Sequence, residues 1–208
     1  HVIDLYQLII SSWHSYRIKP WKIYGPIGTK KFIRLIMDAW KDERNQRIKY
    51  EKRSSTRTFN ILVKEFNNYG KIRIKDLLIE YFEVDHKPVK YAYGFNFQHK
   101  NKKLTISGDT KPCNNLMKYA QLTDVLLHEV YIEEEMQSIT KMRSKQTLHN
   151  VKSYHTSSKI VGKIARISRC KKLVLTHFVP TKFNKQKLIN IVKNDFGKKP
   201  IIGKDLLT

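Results

Sequence analysis

Three apolar runs in this chain read as buried strands, and each stops at a group able to bind a metal or move a proton. Leu104-Thr105-Ile106-Ser107-Gly108 stops at Asp109, Val125-Leu126-Leu127 at His128-Glu129, and Leu173-Val174-Leu175-Thr176 at His177. In α/β sheets ligands bind outside the carboxyl ends of the strands, so the three ends are expected to converge on one cleft. A single histidine after a strand reads as well as a structural residue with its hydrogen bonds satisfied. The set of three points to chemistry. Gly108 fits the same picture, because glycine lets the backbone turn sharply out of a strand.

Around these runs the spacing of apolar residues predicts further elements. A helix over residues 2–13 turns Leu5, Leu8, Ile9 and Trp13 to one face. Residues 30 to about 53 form a second helix, apolar at Phe32, Leu35, Ile36, Ala39 and Trp40 and then almost wholly charged and solvent-exposed, with Thr29 as its expected cap. Residues 58–84 alternate as short antiparallel strands, and 92–98, 103–107, 124–128 and 172–176 are strand candidates. Helices are predicted over 115–122, over 156–170 with Ile160, Val161, Ile164, Ala165 and Ile167 inward, and over 182–196. The sum is an α/β layered domain rather than a bundle. One domain is expected over residues 1–208, with a charged helical segment at about 38–57.

Composition narrows the class. At 208 residues and 40% hydrophobic, the chain is long enough to bury a core. Two cysteines, Cys113 and Cys170, cannot staple it, and their scarcity fits a reducing, cytoplasmic compartment. No run of about 18 apolar residues exists, so no membrane association is expected; residues 1–15 do not read as a signal peptide. The formal net charge of +23 would attract a polyanion such as RNA, DNA or anionic lipid. An AT-rich coding sequence, which inflates Lys, Asn and Ile together, explains the charge equally well.

Two more histidines join the strand ends. His86 stands in the loop Glu83-Val84-Asp85-His86-Lys87-Pro88, and His155 immediately precedes Thr156-Ser157-Ser158, where Thr156 or Ser157 can cap a helix without it. His14, His99 and His149 lack such a context and read as surface residues.

In this order, His86, Ser107-Gly108-Asp109-Thr110, Leu127-His128-Glu129-Val130-Tyr131, His155-Thr156-Ser157 and Leu175-Thr176-His177-Phe178-Val179-Pro180 resemble the metallo-β-lactamase superfamily. More narrowly they are similar to its ribonuclease Z and arylsulfatase-like branch. Tyr24-Gly25-Pro26-Ile27-Gly28-Thr29 resembles the glycine-proline turn that follows the first metal motif there. The resemblance covers nearly the whole chain and implies an αββα sandwich of two mixed sheets flanked by helices, without its N-terminal strands. The family's first motif, H-x-H-x-D-H, has only its last residue here, as His1; the chain is expected to begin inside that motif, the alternative being a degenerate relative.

What the resemblance implies for the site follows motif by motif. Asp109 would bridge two Zn²⁺ ions, His86 would complete the first, and His1 and His177 would serve the second. Imidazole and carboxylate suit zinc, and two ions ~3.5–4 Å apart can share a hydroxide and clamp a phosphoryl group. His155, held by Glu129, would be the proton donor to the leaving oxygen. The readings that compete for these two are a salt bridge from Glu129 to one of many lysines and a buried hydrogen bond at His155.

Three functions are therefore carried forward. The first is a zinc phosphodiesterase similar to ribonuclease Z, acting on RNA such as precursor tRNA. The second is an arylsulfatase-like or cyclic-phosphodiester hydrolase of small phosphate or sulfate esters. It gains from a departure: bacterial ribonuclease Z inserts a tRNA-binding arm between the third-motif histidine and the bridging aspartate, whereas His86 and Asp109 are only 23 positions apart (109 − 86), enough for a hairpin. The third is a nucleic-acid-binding module with a decayed site. A homodimer is compatible with all three.

Overall fold

In a computed structural model, which describes residues 2–52, 55–139 and 143–206, the chain divides into two units, His1–Asn67 and Asn68–Thr208. The first unit runs α1 (Asp4–His14), β1 (Lys22–Pro26), α2 (Thr29–Ala39), α3 (Lys41–Glu51) and β2 (Leu62–Phe66). β1 and β2 pair in parallel, Lys22 opposite Leu62 and Pro26 opposite Phe66. Ile9, Ile23 and Ile33 form its core, with Leu5, Phe32, Ile36 and Val63 packed against them.

Four expectations change here, the first being that β2, within the stretch 58–84 expected to form antiparallel strands, pairs in parallel with β1. The helix predicted from residue 30 to about 53 is two helices, interrupted at Trp40 (φ −100°, ψ 10°). The Trp40 ring lies edge-on to Trp13 and Phe59, with centroids 5.7 and 5.9 Å apart, and this aromatic contact outweighs continued helical geometry. The charged part, α3, buries no residue, as expected of it. Leu8 is exposed, and α1 buries Ile9, Ile10 and Trp13 instead. Thr29 does not cap α2: its hydroxyl donates to the Pro26 carbonyl at 2.7 Å. The Glu65 carboxylate serves the helix start, Oε1 accepting from the Gly28 and Lys30 N–H groups at 2.9 and 2.8 Å.

The second unit is built on seven strands in sequential order: β3 (Gly70–Ile74), β4 (Leu77–Glu83), β5 (Tyr93–His99), β6 (Lys102–Ile106), β7 (Val125–Tyr131), β8 (Lys172–Val179) and β9 (Ile201–Ile202). β3 to β6 form antiparallel hairpins, and β6 to β9 pair in parallel through crossovers containing α4 (Asn114–Tyr119), α5 (Lys145–Ser153), α6 (Ser158–Ile167) and α7 (Lys185–Phe196). The α/β class is borne out. Of two expected mixed sheets this one is mixed, while the β1–β2 pair is parallel only.

Alternation sets which side chains enter the core. Leu126 and Val130 on β7 and Leu173 and Leu175 on β8 pack with Val161, Ile164 and Ala165 of α6 and Leu188 and Val192 of α7. Ile160 and Ile167, expected inward, are 41% and 45% exposed, because the buried stripe of α6 is narrow and centred on Gly162. A Cβ at Gly162 would stand 2.5 Å from the Val192 carbonyl oxygen, so this glycine lets α6 and α7 approach closely. Cys113 and Cys170 are both free thiols, and burial pushes the Cys170 thiol up to about 11.

Two outcomes are expected. Gly162→Ala should lower stability by up to about 2 kcal/mol in urea unfolding, because overpacking costs ~1–3 kcal/mol against a helix-propensity gain of ~1 kcal/mol; a more stable variant would show that the helices separate at no cost. Cys170 should escape iodoacetamide in the native protein at mildly alkaline pH and react after unfolding, as read by peptide mass mapping.

Candidate active site

Because β6, β7 and β8 are parallel neighbours, their carboxyl ends open at the same end of the sheet. After Ile106 the chain continues through Ser107, whose N–H donates to the Leu127 carbonyl at 2.9 Å, and then turns at Gly108 (φ +62°). A Cβ at Gly108 would lie 2.4 Å from the Tyr93 carbonyl oxygen, so the turn that presents Asp109 requires glycine twice, for its φ and for space. On β8, Glu129 pairs with Thr176 but Val130 pairs with Phe178, which leaves His177 as the extra residue of a β-bulge. His177 has φ +44°, in the left-handed region a non-glycine residue rarely adopts, and its side chain is 45% exposed. Backbone strain of this kind costs ~1–3 kcal/mol and gathers at functional sites.

Glu129 is 1% exposed; its Oε1 is hydrogen-bonded, and its Oε2 faces the His155 ring without a hydrogen bond. Oε1 accepts from the Thr156 N–H at 2.8 Å and the Thr110 N–H at 3.4 Å; Oε2 stands 3.2 Å from His155 Nδ1. Among the described residues no lysine forms the salt bridge that competed for Glu129. Thr156 Oγ1 donates to the Thr110 carbonyl at 2.7 Å, so the loops carrying Asp109 and His155 are joined directly as well as through the carboxylate. The His155 loop is also held from below. Ser157 and Ser158 hydroxyls donate to Glu133 and Glu134 at 3.1 and 2.8 Å, and the Lys152 ammonium holds the Glu133 carboxyl below the usual carboxylate range. Ser157 is the N-cap of α6, accepting from the Lys159 N–H at 3.2 Å.

The remaining histidines close the circle. The His86 ring lies 5.2 Å from that of His155, centroid to centroid, and its Nδ1 is 3.0 Å from the Tyr154 carbonyl oxygen. The His177 ring is 5.5 Å from His155, and its Nδ1 is 3.5 Å from Asp109 Oδ1. The structure thus brings His86, Asp109, Glu129, His155 and His177 to one end of the sheet. Among the described residues the tightest group of donors is Glu129, His155 and His177, with one ligand atom of each within 4.8 Å of the others. His1 lies outside the described residues. Imidazole nitrogens and carboxylate oxygens at this spacing fit a borderline divalent ion such as zinc. His128, the neighbour of Glu129, points to the other face of β7; it is fully buried, and that burial pushes its imidazole below the usual range, so it stays neutral.

Sequence reasoning missed Thr110, the Tyr154 carbonyl and the glutamates 133–135. Only the last left a signal, a triple carboxylate that could meet the start of a helix.

Comparison with known proteins agrees with this fold. No family model matches the chain. The chain is 27% identical over 184 residues to a ribonuclease Z of Mycolicibacterium gilvum, covering 87% of the chain and 63% of that protein. A putative ribonuclease Z of Mycobacterium tuberculosis is 27% identical over 183 residues, covering 86% of the chain and 80% of that protein. The metallo-β-lactamase fold protein YhfI of Bacillus subtilis superposes with a TM-score of 0.69 at 16% identity, over 98% of the chain and 70% of that structure. The short form of human tRNase Z superposes with a TM-score of 0.58 at 18% identity, over 90% and 65%. The chain is a metallo-β-lactamase-fold protein similar to ribonuclease Z. It spans less than two thirds of the length of the first of these ribonuclease Z relatives.

The turn at Gly108 is what positions Asp109 after β6. Gly108→Ala should therefore lower stability by at least about 2 kcal/mol in urea unfolding, since it combines an unfavourable left-handed φ with a backbone clash; a cost below ~0.5 kcal/mol would show that the turn can relax.

Proposed function

We propose that this chain belongs to a zinc-dependent phosphodiesterase acting on RNA, with precursor tRNA as its substrate, and that both units are parts of one catalytic domain. The observation that carries this is the buried Glu129–His155 pair beside Asp109 and His177 at the strand ends. His86, Asp109, His177 and His1 are the proposed ligands of two zinc ions. Zinc bound there would act as a Lewis acid on the phosphoryl oxygens and activate water. The protein's own residues do the rest. The Tyr154 carbonyl accepts the proton on His86 Nδ1 and so presents Nε2, the usual tautomer control of a ligand histidine. Glu129 Oε2, 3.2 Å from His155 Nδ1, would favour a proton on that nitrogen and leave Nε2 to deliver a proton to the departing oxygen. The net charge of +23 supports an RNA substrate over a neutral one. The reading extends to a cytoplasmic setting, which the two free thiols fit, and to a homodimer, which light scattering of the full-length protein tests.

The small-ester reading has one observation in its favour: the residues between His86 and Asp109 hold the β5–β6 hairpin and leave no length for an arm. Precursor-tRNA cleavage assayed beside aryl sulfate hydrolysis separates the two.

With the full-length protein, Asp109→Ala should lose bound zinc and hydrolysis of bis(p-nitrophenyl) phosphate together. His155→Ala should keep its zinc, by elemental analysis, while kcat falls ~10²–10⁴-fold. Loss of zinc from the His155 variant would make it a ligand and refute its role as the acid. A wild-type protein that binds no metal would support the decayed-site reading.

A further inference from the structure

The two ends of the seven-stranded sheet differ in charge. At the carboxyl ends of β6 to β8 the lysines stand among the part-buried carboxylates of Asp85, Asp109 and the glutamates 133–135, and Lys111 and Lys152 are ion-paired to Asp85 and Glu133 at 3.2 and 2.7 Å. The opposite end, where β6, β7, β8 and β9 begin, is lined by short connections. Lys75 sits in the β3–β4 turn, and Lys100 and Lys102 in and beside the β5–β6 turn, all exposed. Exposed Lys171 and Lys172 lead into β8, and exposed Lys198 and Lys199 into β9. Two carboxylates, Asp76 and Asp124, stand in these connections. Asp124 is already engaged, by Lys171 Nζ at 2.7 Å and the Lys103 N–H at 2.8 Å.

Because the strands follow one another in sequential order, these turns fall in line. At ~4.8 Å between neighbouring strands the line runs about 30 Å, and strand length sets it ~20–25 Å from the catalytic end. The turns are also fixed to one another. Lys103 Nζ donates to the Gln121 carbonyl at 3.0 Å, Gln121 Nε2 to the Ile167 carbonyl at 3.2 Å, and the Leu122 N–H to the Ser168 carbonyl at 2.8 Å. Exposed ammonium groups carried on turns that are fixed to one another can face a row of phosphates, with counterion release supplying the affinity.

We propose that this basic row is a second RNA-binding surface, which holds the backbone of a duplex portion of the RNA away from the site of cleavage. It rests on the reading of the substrate as RNA. The row reads shape and charge rather than sequence.

The test compares two variants of the full-length protein with equal loss of charge: Lys100→Gln/Lys102→Gln/Lys172→Gln/Lys199→Gln on the row, and Lys30→Gln/Lys31→Gln/Lys41→Gln/Lys49→Gln on exposed sites elsewhere. Precursor tRNA, a plain RNA duplex and vesicles containing phosphatidylglycerol are the probes, by fluorescence anisotropy and co-sedimentation over a salt series. The row variant should bind both RNAs at least about tenfold more weakly, with the log–log salt slope reduced by ~0.9 for each phosphate no longer neutralised. Its hydrolysis of bis(p-nitrophenyl) phosphate should match wild type, and the control variant should keep far more of its RNA affinity. Equal weakening in both variants, no weakening in either, or binding to vesicles in place of RNA would overturn the proposal while leaving tRNA cleavage intact. Wild-type protein that neither binds nor cleaves precursor tRNA would instead sink the RNA reading on which it rests.

Discussion

A buried carboxylate organises the second unit. Glu129 is almost wholly removed from water, and a charge there is tolerated only if its oxygens are met by donors. The donors are two backbone N–H groups, of Thr110 and Thr156, both on Oε1, while the His155 ring stands 3.2 Å from Oε2. Backbone donors cannot be supplied without bringing their loops along. Satisfying Glu129 therefore draws the loop after β6, with Asp109, and the loop before α6, with His155, to the same end of the sheet. The fold and the site are solved by one set of hydrogen bonds.

His177 is placed differently. A bulge pushes it out, at the point where β8 gains one residue on β7 and the backbone enters the left-handed region. The strand pairing on either side of the bulge holds the strained residue in position. Regular pairing would send His177 to the face opposite its present one, since side chains alternate along a strand. The bulge thus sets which way the imidazole points.

The parts of this structure that are legible in the sequence are those that depend on local chemistry. The strand runs before Asp109, Glu129 and His177 stand out by apolar continuity, and the entry to α6 by its serine cap. What cannot be read depends on contacts between distant residues. The break at Trp40 exists because Trp13 and Phe59 offer it an aromatic face. The Tyr154 carbonyl looks like any other carbonyl until His86 is folded against it. Helix α5 carries too weak an apolar stripe to stand out, and in the structure its Val151 joins Tyr131 and Met136 in a small cluster of their own. Ile160 and Ile167 read as core in the sequence and are not, because periodicity does not reveal how wide a helix's buried face will be.

The start of α2 carries a further consequence. A glycine-bearing turn that runs into a helix presents N–H groups of the kind phosphates seek, and the positive end of the helix adds to the attraction. Here Glu65 already fills that role from the neighbouring strand, accepting from Gly28 and Lys30. The turn is in effect a self-liganded anion site: a phosphate reaching it would have to displace a tethered carboxylate whose effective concentration no free ion can match. The glycines at this turn secure the first unit to itself.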